Sequence, residues 1–213
     1  MTKSKATPPE SPAHKGGRPR AFDRDLALTR ALEVFWRRGY EPASIADLCK
    51  EMGINPPSLY AAFGNKAKLF MEAVNHYETV YWDAAWLKME ENPDVRSAIG
   101  EFLLDAARIL TTPDAPCGCL VVVGAVNISP DAQDVNDALK ALRKEGRDCF
   151  LSVLKRGVKS GQLPRATDVE ALASTINTVL EGMSLQSRDG SRRKELERIA
   201  TTTMALVPNN TVD

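Results

Sequence analysis

Five polar residues between positions 44 and 66 have side chains suited to binding a polar or anionic surface. They are Ser44, Asn55, Ser58, Tyr60 and Lys66. Hydroxyl and ammonium groups donate hydrogen bonds to phosphate oxygens, and a carboxamide can also pair with the edges of nucleotide bases. These groups act together only if they share one side of the molecule, so the elements that carry them decide whether the chemistry is available.

The sequence around Ser44, the first of these residues, contains clear helix start and stop signals. Apolar residues recur at helical spacing after Asp23 and stop before a glycine, which predicts a first helix over residues 23–38. Ser44 with Asp47 three residues later is a variant of the capping box, and the apolar stripe that follows ends at Gly53. The second helix is therefore about two turns long.

Two more helices are predicted immediately afterwards. Pro56 and Pro57 stand in the first turn of a short helix, where a missing N–H costs nothing, and its apolar side is Leu59 and Phe63. A longer fourth helix, capped by Asn65, is expected to run to about Glu90.

Two short helices joined by a tight turn are typical of a helix-turn-helix, whose second helix offers a polar face to the DNA major groove. That face consists of Asn55, Pro56, Ser58, Tyr60 and Ala61. Free N–H groups at Ser44 favour a phosphate contact there. Spacing alone leaves open a small helical hairpin packed in an unrelated all-α fold.

In their order and spacing, the residues of this region resemble those of the TetR/AcrR family of bacterial repressors. The matching runs are Phe35-Trp36-Arg37-Arg38-Gly39-Tyr40, Ser44-Ile45-Ala46-Asp47-Leu48, Met52-Gly53-Ile54-Asn55, Ser58-Leu59-Tyr60, Phe63, Lys66 and Leu69-Phe70. The resemblance covers residues 21–81 and implies a three-helix DNA-binding domain with its helix-turn-helix at 44–63. It also implies phosphate contacts from Tyr60 and Lys66. The run that begins at Pro56 is similar to a branch that includes a copper-responsive repressor.

The start of the recognition helix departs from the family pattern. Many members carry basic or small residues where this chain has Pro56 and Pro57, so fewer side chains can donate hydrogen bonds to base edges. We therefore expect base discrimination to depend on Asn55, Ser58, contacts to thymine methyl groups and DNA shape.

The N-terminal arm is basic although the whole chain is neutral. Residues 1–22 have five Lys or Arg against Glu10, a net charge of +4, which leaves −4 for the remainder. Residues 1–20 are predicted to be disordered. Arg18 and Arg20 resemble a minor-groove insert on an extended arm, the alternative being a basic tail that touches phosphates without preference.

Residues 82–213 are expected to form a helical domain that binds an effector and dimerises. Helices are predicted near 94–111, 131–160, 167–188 and 191–207. The β-branched segment 119–126 would pass for a buried strand on its own, and its helical surroundings favour a buried helix.

Two residue sets in this domain are candidate functional surfaces. A dimer interface of two amphipathic helices is predicted from Leu172, Ile176, Val179, Leu180, Met183, Leu196, Ile199 and Ala200, unless these faces cover the core of a single chain. An effector pocket is predicted from Trp82, Trp86, Phe102, Cys119, Val122, Phe150 and Met183, unless these side chains are plain core.

Cys117 and Cys119 suggest a second sensing chemistry. If Cys117 follows Pro116 at a helix N-terminus, the helix dipole stabilises its thiolate, which could sense oxidants or bind Cu(I). Two cysteines two residues apart on a helix point in different directions, however, and no histidine is near, so passive buried thiols are the favoured interpretation. No metal or cofactor is predicted.

The sequence lacks the motifs of the common enzyme classes, and no apolar run approaches membrane-spanning length. We expect a cytoplasmic, non-enzymatic, homodimeric repressor that binds a palindromic double-stranded operator and is released by an unidentified small molecule. The alternatives are a thiol- or copper-responsive repressor and a DNA-organising protein without a ligand.

Overall fold

A computed structural model describes residues 22–124 and 128–210, and every regular element in these ranges is helical. The helices are α1 (Arg24–Arg38), α2 (Ile45–Met52), α3 (Pro56–Phe63), α4 (Lys66–Tyr77), a π-helical turn (Glu78–Trp82), α5 (Asp83–Glu91), α6 (Val95–Ile109), α7 (Leu120–Val123), α8 (Gln133–Ser160), α9 (Val169–Arg188) and α10 (Arg193–Thr203). Single 3₁₀ turns precede α8 and follow α10. The predicted all-α fold class, with an N-terminal helix-turn-helix domain and a C-terminal helical domain, is confirmed.

The first four helices pack around one apolar centre. Helix α1 lies against α2 and α4, and Phe35 of α1 meets Phe70 of α4 with ring centroids 5.0 Å apart. Leu48 of α2 and Leu59 of α3 are fully buried in the same cluster. Each short helix thus contributes a few large side chains to a shared core, which stabilises helices too short to be stable alone.

The fourth helix differs from its prediction. The helical path continues from Lys66 to Glu91, but the Asp83 N–H bonds to the Glu78 carbonyl five residues back, which widens one turn into a π-helix. The long helix expected over 65–90 is therefore present, but its turn at residues 78–82 is π-helical, which the sequence did not indicate. Wide turns of this kind often occur at functional sites.

In the C-terminal domain, α8 packs along α9 and α10 packs along α6. The ambiguous 119–126 segment forms a helix at Leu120–Val123, as predicted, whereas residues 125–127 lie outside the described residues.

This packing contradicts most of the predicted dimer interface. Six of its eight residues are buried within one chain: Leu172, Ile176, Leu180, Met183, Leu196 and Ala200. They cover the core of their own chain, which was the alternative stated above, so they have no surface to offer a partner. Val179 and Ile199 are partly exposed and remain available.

Candidate DNA-binding face and interior cavity

Helix α3 presents a small exposed face on one side of the molecule. Tyr60 is 47% exposed, and Asn55, Pro56 and Ala61 are also exposed, whereas Ser58 is half-buried. The opposite side of α3 is anchored by the buried side chains of Leu59 and Phe63. Five residues predicted to face DNA therefore lie on or beside one helix, and four of them are open to solvent.

The caps of α2 and α3 use some of the groups that were assigned to DNA. The Asn55 side-chain oxygen accepts the Ser58 N–H at 2.9 Å, which leaves its amide N–H₂ as the outward donor. The Ser44 hydroxyl donates to Asp47 at 2.7 Å and accepts the Asp47 N–H at 3.0 Å. The Ser44 N–H also donates to the Asp47 carboxylate at 3.3 Å. The two bonds that Ser44 donates, together with the Arg38 guanidinium 2.8 Å away, hold the pKa of the Asp47 carboxyl below its usual value. The helix cap therefore uses both the hydroxyl and the N–H of Ser44, so a phosphate contact there depends on the other free N–H groups in the first turn of α2.

An ion pair that the sequence did not indicate clamps the recognition helix. Arg24 of α1 donates to both carboxylate oxygens of Glu72 on α4, at 2.5 and 2.8 Å, and to the Ala62 carbonyl of α3 at 3.3 Å. Its guanidinium also lies 4.4 Å from the centre of the Phe63 ring. One side chain thus joins three helices, although 48 residues separate it from Glu72 and no local pattern predicts such a pair.

Lys66 points away from the exposed face of α3. Its ammonium donates to the Glu41 carbonyl at 3.1 Å and lies 4.4 Å from the centre of the Tyr40 ring. One of the three N–H donors of the ammonium is used in this arrangement, so the predicted phosphate contact would have to be made beside these two partners. Lys68, one turn into α4, is exposed and its side chain lies against Gly64 at the end of α3. Arg18 and Arg20 lie outside the described residues.

A second site is a cavity of about 450 Å³ among α4, α5, α7, α8 and α9. Four of the seven predicted pocket residues line it: Trp82, Trp86, Cys119 and Val122. The other three were assigned wrongly. Phe102 and Phe150 lie behind Trp86, with ring centroids 4.1 and 5.5 Å from it, and Met183 is buried outside the lining.

The polar lining of the cavity was missed from the sequence. It includes the side chains of Asn75, Glu78, Thr79, Asp83, Arg143, Glu145, Asn177 and Glu181. A signal was present, because the lining residues between 75 and 86 recur at the three- and four-residue spacing of one helix face yet mix carboxylates with indoles. A face that only covers a core does not carry charge in this way.

Glu78 has the most perturbed carboxyl group in this lining. Burial, together with the charges of Asp83 and Glu145, raises its pKa to about 7. None of the ion pairs formed within the described part of the chain involves it. The carboxyl therefore changes protonation near neutral pH.

Cys119 is buried, as was favoured from the sequence, whereas Cys117 is exposed, so the interpretation of both as buried thiols is wrong for Cys117. Helix α7 begins at Leu120 with Cys119 as its N-cap, so Cys117 is not at the helix start as was supposed. The buried Cys119 has its pKa raised to about 11 because burial disfavours the thiolate, and its N–H donates to the Ser184 hydroxyl at 2.7 Å. A neutral thiol at this position does not favour the thiol- or copper-responsive alternative.

The cavity wall is bonded directly to the DNA-binding domain. The Tyr40 N–H, in the turn between α1 and α2, donates to the Gly124 carbonyl at 2.8 Å, and Gly124 ends α7. Glu41 accepts the N–H and hydroxyl of Ser129 at 2.8 and 2.7 Å. The Trp36 indole of α1 donates to the buried Gly118 carbonyl at 2.7 Å.

None of the helices in the described ranges has the length and apolar character of a membrane span.

Both halves of the chain have relatives among known proteins. Residues 27–73 match the family model described as bacterial regulatory proteins, tetR family, and residues 97–203 match a tetracyclin repressor-like C-terminal domain. The HTH-type transcriptional repressor ComR of Escherichia coli K12 is 36% identical over 90% of this chain and 92% of its own length. The repressor BdcR of the same organism is 31% identical over 89% of this chain and 90% of its length.

A solved structure agrees with these relatives. The TetR family transcriptional regulator CifR, as a cysteine mutant complexed with 26-bp double-strand operator DNA, superposes with a TM-score of 0.86. It is 42% identical and the alignment covers 90% of this chain and all of that one. The chain therefore belongs to the TetR family of bacterial transcriptional regulators, which are DNA-binding proteins and not enzymes.

Proposed function

We propose that this chain is a repressor that binds a palindromic operator as a homodimer and leaves it when a small molecule enters the interior cavity. The exposed face of α3, anchored from below by Leu59 and Phe63, carries the DNA-binding part of this proposal. The names of ComR and BdcR support repression. The Arg18 and Arg20 arm is proposed to add minor-groove or phosphate contacts.

The recognition surface centres on Tyr60, with Asn55, Pro56, Ser58 and Ala61 beside it. Because the Asn55 oxygen is used by the helix cap, its amide N–H₂ is the group we assign to base edges. Lys68, which is exposed and lies against Gly64 at the end of α3, is the ammonium that we assign to a phosphate, and Lys66 stabilises the turn before α2. At the start of α2 we assign the phosphate contact to the N–H groups of the first helical turn after Ser44, because the Ser44 N–H itself donates to the Asp47 carboxylate at 3.3 Å.

The proposed dimer interface is the outer face of α9 and α10. The outward residues of α9 recur at helical spacing and are small until the last: Ala171, Thr175 and Thr178 are exposed, Gly182 is half-buried, and Leu185 is exposed. Leu185 and Leu206 are 50% and 53% exposed, and Ile199 lies in the groove between the two helices. Small side chains allow close approach of a partner helix, and the leucines supply apolar area at its end.

Effector release is proposed to act through the hydrogen bonds that join cavity wall and DNA-binding domain. A molecule against Val121 and Val122 shifts α7, and the bond from Gly124 to Tyr40 transmits that shift to the turn between α1 and α2. An effector changes operator affinity only if it binds the two conformations unequally.

The test is selection of genomic DNA fragments by the purified chain, followed by footprinting of the enriched sites. A protected palindrome and a loss of affinity with Tyr60→Ala support the proposal, and Leu87→Ala is the control because that side chain is also large and exposed but lies on α5. Uniform protection without sequence preference would show a DNA-organising protein instead.

A further inference from the structure

We propose that the interior cavity binds an amphipathic organic cation, an amine with an aromatic or aliphatic body, and that the Glu78 carboxylate holds its charge. This inference rests on the effector role proposed above and adds the chemical class of the effector.

The apolar part of the cavity fits the body of such a molecule. Two indoles, Trp82 and Trp86, form one side, and side chains of α7, α8 and α9 form the others, among them Val121, Leu142 and Leu180. Trp86 is held in place by Phe102 and Phe150 behind it. The volume of about 450 Å³ lies in the range of sites that enclose small organic molecules. Indole faces also attract cations.

The charged part of the cavity favours a positive ligand. Four carboxylates line it: Glu78, Asp83, Glu145 and Glu181. Among the lining residues the structure describes, Arg143 is the basic one, and its guanidinium already donates to the Val121 carbonyl at 2.8 Å. An anionic ligand would meet a lining rich in carboxyl groups and one basic side chain that is already engaged, so it is disfavoured.

Glu78 is the carboxylate we assign to the ligand because it is more buried than its neighbours. Asp83 and Glu145 are exposed, and the Glu181 carboxylate accepts a hydrogen bond from Asn177 at 2.9 Å. Glu78 lacks an ion-pair partner in the described ranges, and its raised pKa shows that ionisation is costly there. An ammonium group supplies the missing counter-charge and removes that cost.

The position of Glu78 connects this recognition to regulation. It is the first residue of the π-helical turn between α4 of the DNA-binding domain and α5 of the cavity wall. π-helical turns inside α-helices are frequent at functional sites, and a cation drawn to Glu78 acts where the two domains join.

Calorimetric titration of the full-length protein with three compounds of equal length tests the inference. The compounds are 4-phenylbutylamine, 4-phenyl-1-butanol and 4-phenylbutyrate, which share a phenyl ring on a four-carbon chain and end in a cationic, a neutral and an anionic group. We expect the amine to bind about tenfold or more tightly than the alcohol, because a buried charged hydrogen bond is worth about that factor, and the carboxylate to bind weakest.

Glu78→Gln keeps the shape of the side chain and removes its charge. We expect it to lower amine affinity to that of the alcohol, while alcohol affinity changes by less than about threefold, as fits a neutral partner. Glu145→Gln should cause a smaller loss in the same direction, and provides a second variant should Glu78→Gln fold poorly. Glu33→Gln, an exposed carboxylate on α1, is the matched control and should change nothing.

The outcomes separate this inference from the proposed effector role. Equal binding of amine and alcohol, tighter binding of the carboxylate, or absence of binding by all three overturns the cation assignment without touching operator recognition. An amine preference that survives Glu78→Gln shows that Glu78 is not the recognising group. An amine that binds as expected but leaves operator DNA bound supports the ligand class and contradicts the effector role.

Discussion

Single residues in this protein hold charges where the packing makes them costly, and Glu78 is the clearest case. Its carboxyl has an ordinary pKa of about 4.5 in an unfolded chain and a pKa of about 7 in the folded protein. The folded state therefore holds a proton that the unfolded state releases between these values. The Glu78 carboxyl therefore stabilises the folded protein fully below a pH of about 4.5, and this contribution is lost as the pH rises through 7.

Glu78→Gln should consequently raise the melting temperature at pH 8 and change it little at pH 5. The gain at pH 8 is expected to be about 2 kcal/mol, or several degrees, after allowing for partial solvent access. Thermal unfolding followed by circular dichroism at both pH values measures it. Glu33→Gln should shift neither curve, and an equal gain for Glu78→Gln at pH 5 and pH 8 would contradict the assigned ionisation.

Lys66 and Lys68 are two residues apart and are predicted to have different tasks. Lys68→Ala should weaken operator binding and lower the slope of log affinity against log salt by about one, because one phosphate contact is lost. Lys66→Ala should instead lower stability through its contacts with Tyr40 and Glu41 and leave the slope unchanged. Electrophoretic shift assays over a range of salt concentrations distinguish them, and the reverse pattern would return the phosphate contact to Lys66.

At the scale of elements, the helices near the N-terminus were predictable because their signals are local. Asp23, Ser44, Asn55 and Asn65 each accept a backbone N–H two or three residues later, so each cap is visible in a few consecutive residues. The π-helical turn was not predictable in this way, since nothing in the run from Glu78 to Trp82 breaks helical spacing. Its cause lies in what surrounds it, which is a tertiary property.

The contact between α1 and the segment before α7 joins the two domains through one buried hydrogen bond. Trp36→Phe removes the indole N–H that bonds to the Gly118 carbonyl and leaves that buried oxygen without its donor. We expect a loss of about 1–3 kcal/mol in the free energy of unfolding, measured by urea denaturation. Trp86→Phe is the control, because that indole makes ring contacts but donates no hydrogen bond within the described ranges. A smaller loss for Trp36→Phe than for the control would contradict the role of this bond.

At the scale of the whole molecule, the sequence predicted which helices are amphipathic but assigned their apolar faces to the wrong task. Ile176 and Leu196 have the spacing of an interface and of a core alike, and periodicity cannot tell the two apart. The distinction depends on which other helices approach, and here α6 and α8 cover those faces. The same long-range packing explains why Phe102 and Phe150 support the cavity without lining it.

In our proposal the dimer forms through the outer face of α9 and α10. Substitution of two exposed leucines on this face tests that proposal. Leu185→Glu and Leu206→Glu place charges on exposed apolar positions, so each should convert a dimer to a monomer in light scattering without unfolding the chain. Loss of the second recognition helix should lower operator affinity by about a hundredfold, because two linked half-site contacts bind far more tightly than one. Leu87→Glu, at an equally exposed leucine on α5, should stay dimeric. If both interface variants kept the mass and operator affinity of the parent chain, the interface would lie elsewhere, and the spacing of the two α3 helices would have to be set by a different surface.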